Sequence, residues 1–193
     1  MDFVASLPSA LTEPSRRFFT EWHRWRGRGL VPQRSVLDTG KLGDLLLRCL
    51  LLEIRGREEI PIRFVGSGVG EMIGVNLAGR NYLDLTDPDN RARRAALLFT
   101  EVAQPCAAVI YYWLSTGSGA ILPVELVSAP LCADGETTPS LVLACATPLI
   151  KGSDAARDVA PDSYAEGEGL RFIDIGAGLP PVGPDIHVAQ RVQ

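Results

Sequence analysis

Five glycines, Gly66, Gly68, Gly70, Gly74 and Gly79, follow two apolar runs within the stretch from Arg48 to Asp87, and they decide what kind of fold this chain can enter. Leu50 to Ile54 and Ile60 to Val65 are apolar or β-branched, and Arg55-Gly56-Arg57-Glu58-Glu59 between them has the composition of a hairpin loop, so both read as strands. After Val65 the backbone must turn sharply, and only fragments of helix fit between the glycines. Gly66-Ser67-Gly68-Val69-Gly70 after a strand invites a dinucleotide-binding reading, with Asp84 as the acidic ribose partner. The spacing is not G-x-G-x-x-G, and Gly74, Asn76, Gly79 and Asn81 occupy the place of a continuous crossover helix, so that reading fails.

Thr86-Asp87-Pro88-Asp89 is a helix start, with a capping oxygen, Pro in the first turn and carboxylates against the positive helix end. The helix runs to about Ala103, and Ala92, Ala95, Ala96, Phe99, Val102 and Ala103 form its apolar face. The Arg91, Arg93 and Arg94 cluster reads as a solvated helix face. Three further strands follow at Ala107 to Thr116, Ala120 to Ala129 and Ser140 to Thr147, joined by Gly-containing hairpin loops that imply antiparallel order. Tyr111 and Trp113 share one face of their strand, Tyr112 and Leu114 the other, so both faces of the sheet need a cover.

The order Phe64-Val65-Gly66-Ser67-Gly68, then Glu71-Met72-Ile73-Gly74, Leu77-Ala78-Gly79-Arg80 and Tyr82-Leu83-Asp84-Leu85 resembles the single-domain bacterial PAS proteins, more weakly from about Phe18 to Leu149. The resemblance implies an α+β fold, a five-stranded antiparallel sheet with short helices on one face, here preceded by an N-terminal aromatic helix. It implies a sensory or adaptor module in signalling that acts through partner proteins or dimerisation, and a core that in some members holds a small ligand. Residues 1–40 are then an N-terminal helical segment, 41–150 the PAS-like domain, and 151–193 a linker and C-terminal tail, with a brief apolar run from Leu170 to Ile175. The candidate pocket for a small apolar ligand comprises Phe64, Met72, Leu77, Tyr82, Phe99, Tyr111, Val124 and Leu143. These are apolar or amphipathic residues on elements that should face inward. A ligand-free protein-interaction domain, and a small hydrolase or isomerase on an α+β scaffold, are the alternatives.

Upstream, Thr12-Glu13-Pro14-Ser15 opens a helix in which Phe18, Trp22 and Trp25 recur at helical spacing beside Phe19, until Gly27 and Gly29 stop it. This aromatic stripe either caps the domain's own sheet or forms the seam of a homodimer. The dimer-interface reading assigns Phe18, Phe19, Trp22 and Trp25 to that seam.

Composition excludes other classes. A net charge of −4 and a pI near 5.2 leave no clustered basic surplus for nucleic acid. No run approaches the ~20 apolar residues of a membrane span, and the start lacks a basic leader, so no membrane partner and a cytoplasmic location are expected. Cys49, Cys106, Cys132 and Cys145 are widely spaced and read as buried reduced thiols, with no metal site. His23 and His187 lie in terminal segments and suit neither a catalytic triad nor a haem ligand, and no Cys matches a flavin-adduct helix. Neither cofactor nor enzymatic activity is expected.

Overall fold

The computed structural model describes residues 3–4, 7–116, 118–119, 121–149 and 169–181. Its strands are β1 (Cys49–Glu53), β2 (Ile62–Val65), β3 (Cys106–Ser115), β4 (Ile121–Cys132), β5 (Pro139–Pro148) and β6 (Gly169–Asp174). They form one antiparallel sheet in the order β2-β1-β5-β4-β3-β6. Helices α1 (Glu13–Arg26), α2 (Thr39–Leu42), α3 (Ser67–Ile73) and α4 (Arg91–Ala103) surround it, with 3-10 turns at Gly43–Arg48, Tyr82–Leu85 and Pro88–Asn90. The first five strands follow the sequence reading. The sixth is a difference: the apolar run assigned to the tail pairs with β3, because Leu170 and Phe172 enter the core on one face while Ile173 enters it on the other. The rest of the expected linker and tail, at 151–168 and 182–193, lies outside the described residues.

The glycines behave as their spacing requires. A Cβ on Gly66 would stand 2.2 Å from the Leu46 carbonyl oxygen, so the turn out of β2 closes only with glycine. Gly74 ends α3 in the left-handed region at φ 79°. Asp87 caps the Pro88–Asn90 turn, accepting from the Asp89 amide at 2.9 Å.

Side chains alternate between two cores. Leu50, Leu52, Ile110, Leu126, Val142 and Ala144 point toward α3 and α4. Cys49, Val109, Val127, Leu131, Leu143 and Cys145 point toward α1. Hydrogen bonds from three residues, Thr12, Trp22 and Arg26, fasten α1 across this second face. Glu125 on β4, fully buried, accepts from the Thr12 amide at 3.1 Å, the Thr12 hydroxyl at 2.5 Å and the Tyr111 hydroxyl at 2.9 Å. Trp22 Nε1 donates to the Pro130 carbonyl at 3.0 Å, and the Arg26 guanidinium donates to the Ile175 carbonyl at 2.5 Å.

The aromatic stripe is therefore an intramolecular cap. Phe18, Phe19 and Trp22 are each 0% exposed within one chain, and Trp25 is half-buried against the same cluster. This corrects the dimer-seam reading, since no surface of those three side chains is left for a second copy. Trp22→Ala is accordingly expected to lower folding stability by about 3–5 kcal/mol, the range for emptying a buried aromatic site. Urea unfolding should register that loss, and sedimentation equilibrium should show the same oligomeric state for folded mutant and wild type.

Candidate functional site

On the helix side of the sheet a cavity of about 360 Å³ opens between the strands, α3, the Tyr82–Leu85 turn and α4. It exists because the central strands carry small residues there. Ser128, Ala144 and Ala146 leave space that larger side chains would fill, while Leu50, Leu52 and Leu126 keep the floor apolar. Val69, Met72 and Leu77 wall one side, and Leu97 and Leu98 on α4 another. Polar groups gather at one region of the lining: Thr86, Asp87, Asn90 and Arg94, with Tyr82 and Tyr112. Arg94 is 8% exposed, and its guanidinium carbon stands 4.6 Å from the centre of the Tyr112 ring.

Ser128 connects the cavity to a buried acid. Its hydroxyl donates to Glu101 Oε1 at 2.9 Å, whereas Glu101 Oε2 has no hydrogen-bond partner among the described residues. Burial pushes the Glu101 carboxyl up to about 8, the Ser128 bond opposing it, so the side chain is mostly protonated at neutral pH. Burial likewise raises the Cys106 thiol, and Glu101 adds to that shift.

Three sequence-predicted pocket residues, Met72, Leu77 and Tyr82, do line the cavity. Val124 is buried in the same core, and Phe99 packs against it half-buried with the Arg57 guanidinium 5.2 Å from its ring. Tyr111 and Leu143 lie on the opposite face, toward α1, because each is one position out of phase with the residue that lines the cavity, Tyr112 or Ala144. Phe64 is 36% exposed on β2. The apolar face assigned to α4 is also displaced: Ala92 and Ala103 are exposed, while Arg94, Leu98 and Glu101 are buried. Reading α4 by hydrophobicity alone sends its charges to solvent, and only the helical spacing of Arg94, Leu98 and Glu101 hints that they share a face.

Among the described residues no group of three or more His, Cys, Asp or Glu side chains is placed to hold a metal ion. No helix among them is long and apolar enough to cross a membrane.

A family model described as "PAS domain" matches residues 11–145. No curated protein sequence matches the chain. Among solved structures, a variant of RsLOV is similar with 16% identity and a TM-score of 0.46, over 57% of this chain and 65% of that one. This chain thus spans a little under two thirds of that protein. The Rhodobacter sphaeroides LOV protein aligns at 14% identity and TM-score 0.45, over 62% of this chain and 72% of that one. The PAS domain of Bordetella pertussis BvgS aligns at 14% identity and TM-score 0.43, over 57% and 82% respectively.

The buried acid gives the site a pH signature. Folding holds Glu101 protonated, with a carboxyl raised from 4.5 to about 8, so its contribution is fully present below 4.5 and is lost as pH rises toward 8. Relative to Glu101→Gln, wild type should lose about 1.4 kcal/mol of stability per pH unit across that window. Chemical denaturation of both proteins at pH 5, 6, 7 and 8 measures it, and parallel curves would remove the raised carboxyl from the account.

Proposed function

From the premise that the chain belongs to the PAS domain family, we propose that it is a sensory or adaptor module whose signal is a small, mostly apolar molecule held between the sheet and α4. The observation that carries this reading is the cavity of about 360 Å³ with an apolar floor and a cluster of polar groups in one part of its lining. That volume lies in the range of small-molecule sites, and such a division suits a ligand with an apolar body and one polar end. Floor residues Leu126 and Ile110 sit on β4 and β3 between Glu125, Val127, Val109 and Tyr111, which face α1. A ligand that shifted these strands would therefore be felt at the Glu125 anchor, and the change would pass to a partner chain.

A second reading, a ligand-free interaction domain, draws on the β3–β4 hairpin, where Trp113 is 39% and Ile121 63% exposed. We place any homodimer or signalling-partner contact there in preference to the aromatic stripe of α1.

Native mass spectrometry of freshly purified protein separates the two. A bound small-molecule adduct is expected on wild type and not on Ala144→Leu, which fills the cavity floor, with circular dichroism confirming that the variant is folded. A clean wild-type mass, or an adduct that survives in the filled variant, would transfer the proposal to the hairpin surface.

A further inference from the structure

Cys49 and Cys145 stand directly opposite each other on β1 and β5, both 0% exposed, beneath α1 and the Gly43–Arg48 turn. Their place in the ladder follows from the hydrogen bonds. The Ile54 amide donates to the Ser140 carbonyl at 2.8 Å, which makes Ile54 and Ser140 a hydrogen-bonded pair. Such pairs alternate with non-hydrogen-bonded ones, and Cys49 lies an odd number of positions from Ile54, so Cys49 and Cys145 form a non-hydrogen-bonded pair. The 2.8 Å bond from the Gly66 amide to the Cys49 carbonyl agrees, since the backbone of Cys49 points toward β2 and away from β5. Non-hydrogen-bonded pairs bring α-carbons to about 4.5 Å and side chains closest together, within the roughly 4.4–6.8 Å that a disulfide spans. The Cys145 side chain is near enough to raise the pKa of the Cys49 thiol. Cys106 faces the other core and Cys132 pairs with Pro139, so neither has an opposing cysteine.

We propose that Cys49 and Cys145 form a reversible cross-strand disulfide, made by a hydroperoxide when α1 lifts from the sheet. One thiolate attacks the peroxide O–O bond, gaining an oxygen as sulfenic acid while the other oxygen leaves as water. The second sulfur then displaces that hydroxyl as a second water and the S–S bond forms. Two thiols and one hydrogen peroxide give one disulfide and two waters: the sulfurs lose two electrons, which the peroxide oxygens accept. A dithiol reductant reverses the step by exchange. With α1 docked the reaction is held back. The Cys49 thiol donates to the Leu45 carbonyl at 3.2 Å, and its contact with Cys145 together with burial pushes its pKa far above the ordinary thiol range, so the nucleophilic thiolate is scarce. The cross-link thus records excursions of α1, independently of whether the cavity binds a ligand.

The test treats the full chain with hydrogen peroxide, quenches with a maleimide and maps peptides by mass. The expected product joins the Cys49 and Cys145 peptides, shows the loss of two hydrogens, reverts with dithiothreitol, persists in Cys106→Ser and vanishes in Cys49→Ser and Cys145→Ser. Thr12→Ala, which removes the cap that ties α1 to Glu125, should speed its formation by about tenfold. If that variant does not fold, wild type in rising sub-denaturing urea supplies the same series. Sulfinic acid at separate cysteines without a cross-link, or a cross-link to Cys106 or Cys132, would overturn the site. An equal rate with α1 loosened would overturn the gating by α1.

Discussion

The bonds from Thr12 to Glu125 hold the amino end of α1 to the centre of the sheet, and the rest of the structure depends on them. Glu125 has no exposed surface, and a buried carboxyl without partners costs several kcal/mol. Here its oxygens receive the Thr12 amide and hydroxyl and the Tyr111 hydroxyl, at the end of α1 where the helix dipole favours an acidic group. Lifting α1 would uncover Phe18, Phe19 and Trp22 together and take two donors from Glu125. Apolar burial and polar satisfaction therefore act in concert on one helix, with Trp22 bonded to Pro130 and Arg26 to Ile175 farther along it.

That arrangement frees the opposite face for another purpose. With one side sealed by large aromatics, the side toward α3 and α4 carries Ser128, Ala144 and Ala146, and the space they leave is the cavity. Arg94 and Glu101 are drawn inward on α4, one stacked on Tyr112 and the other bonded to Ser128. Protonation is the cheaper state for Glu101, because a charge there would have one hydrogen bond and no solvent.

Much of this was legible in the sequence where local chemistry decides structure. The apolar runs at Leu50 and Ile60, the glycines after Val65, the cap before Pro88 and the hairpin loops define the first five strands and the main helices. The side-chain parity of the long central strands was not legible. Tyr111 and Tyr112 are equally amphipathic, as Leu143 and Ala144 are equally apolar, and on a sheet buried on both faces alternation no longer marks an inside. Tyr111 and Leu143 face α1, while Tyr112 and Ala144 line the cavity. Glu125 carries no local signal because its partner Thr12 is distant in sequence, and β6 none because a short apolar run becomes a strand only when β3 offers a free edge. The aromatic stripe marks apolar surface that needs a cover, and its cover is the chain's own sheet.

The most direct measurement of this account is amide hydrogen exchange on wild type and Glu125→Ala. Loss of the buried carboxyl should raise exchange throughout α1, Glu13–Arg26, by about one to two orders of magnitude, the effect of stranding donors worth roughly 1–3 kcal/mol, while α4 and its side of the sheet keep their protection. Unchanged protection of α1, or a uniform loss across the whole chain, would contradict the claim that Glu125 specifically fastens this helix.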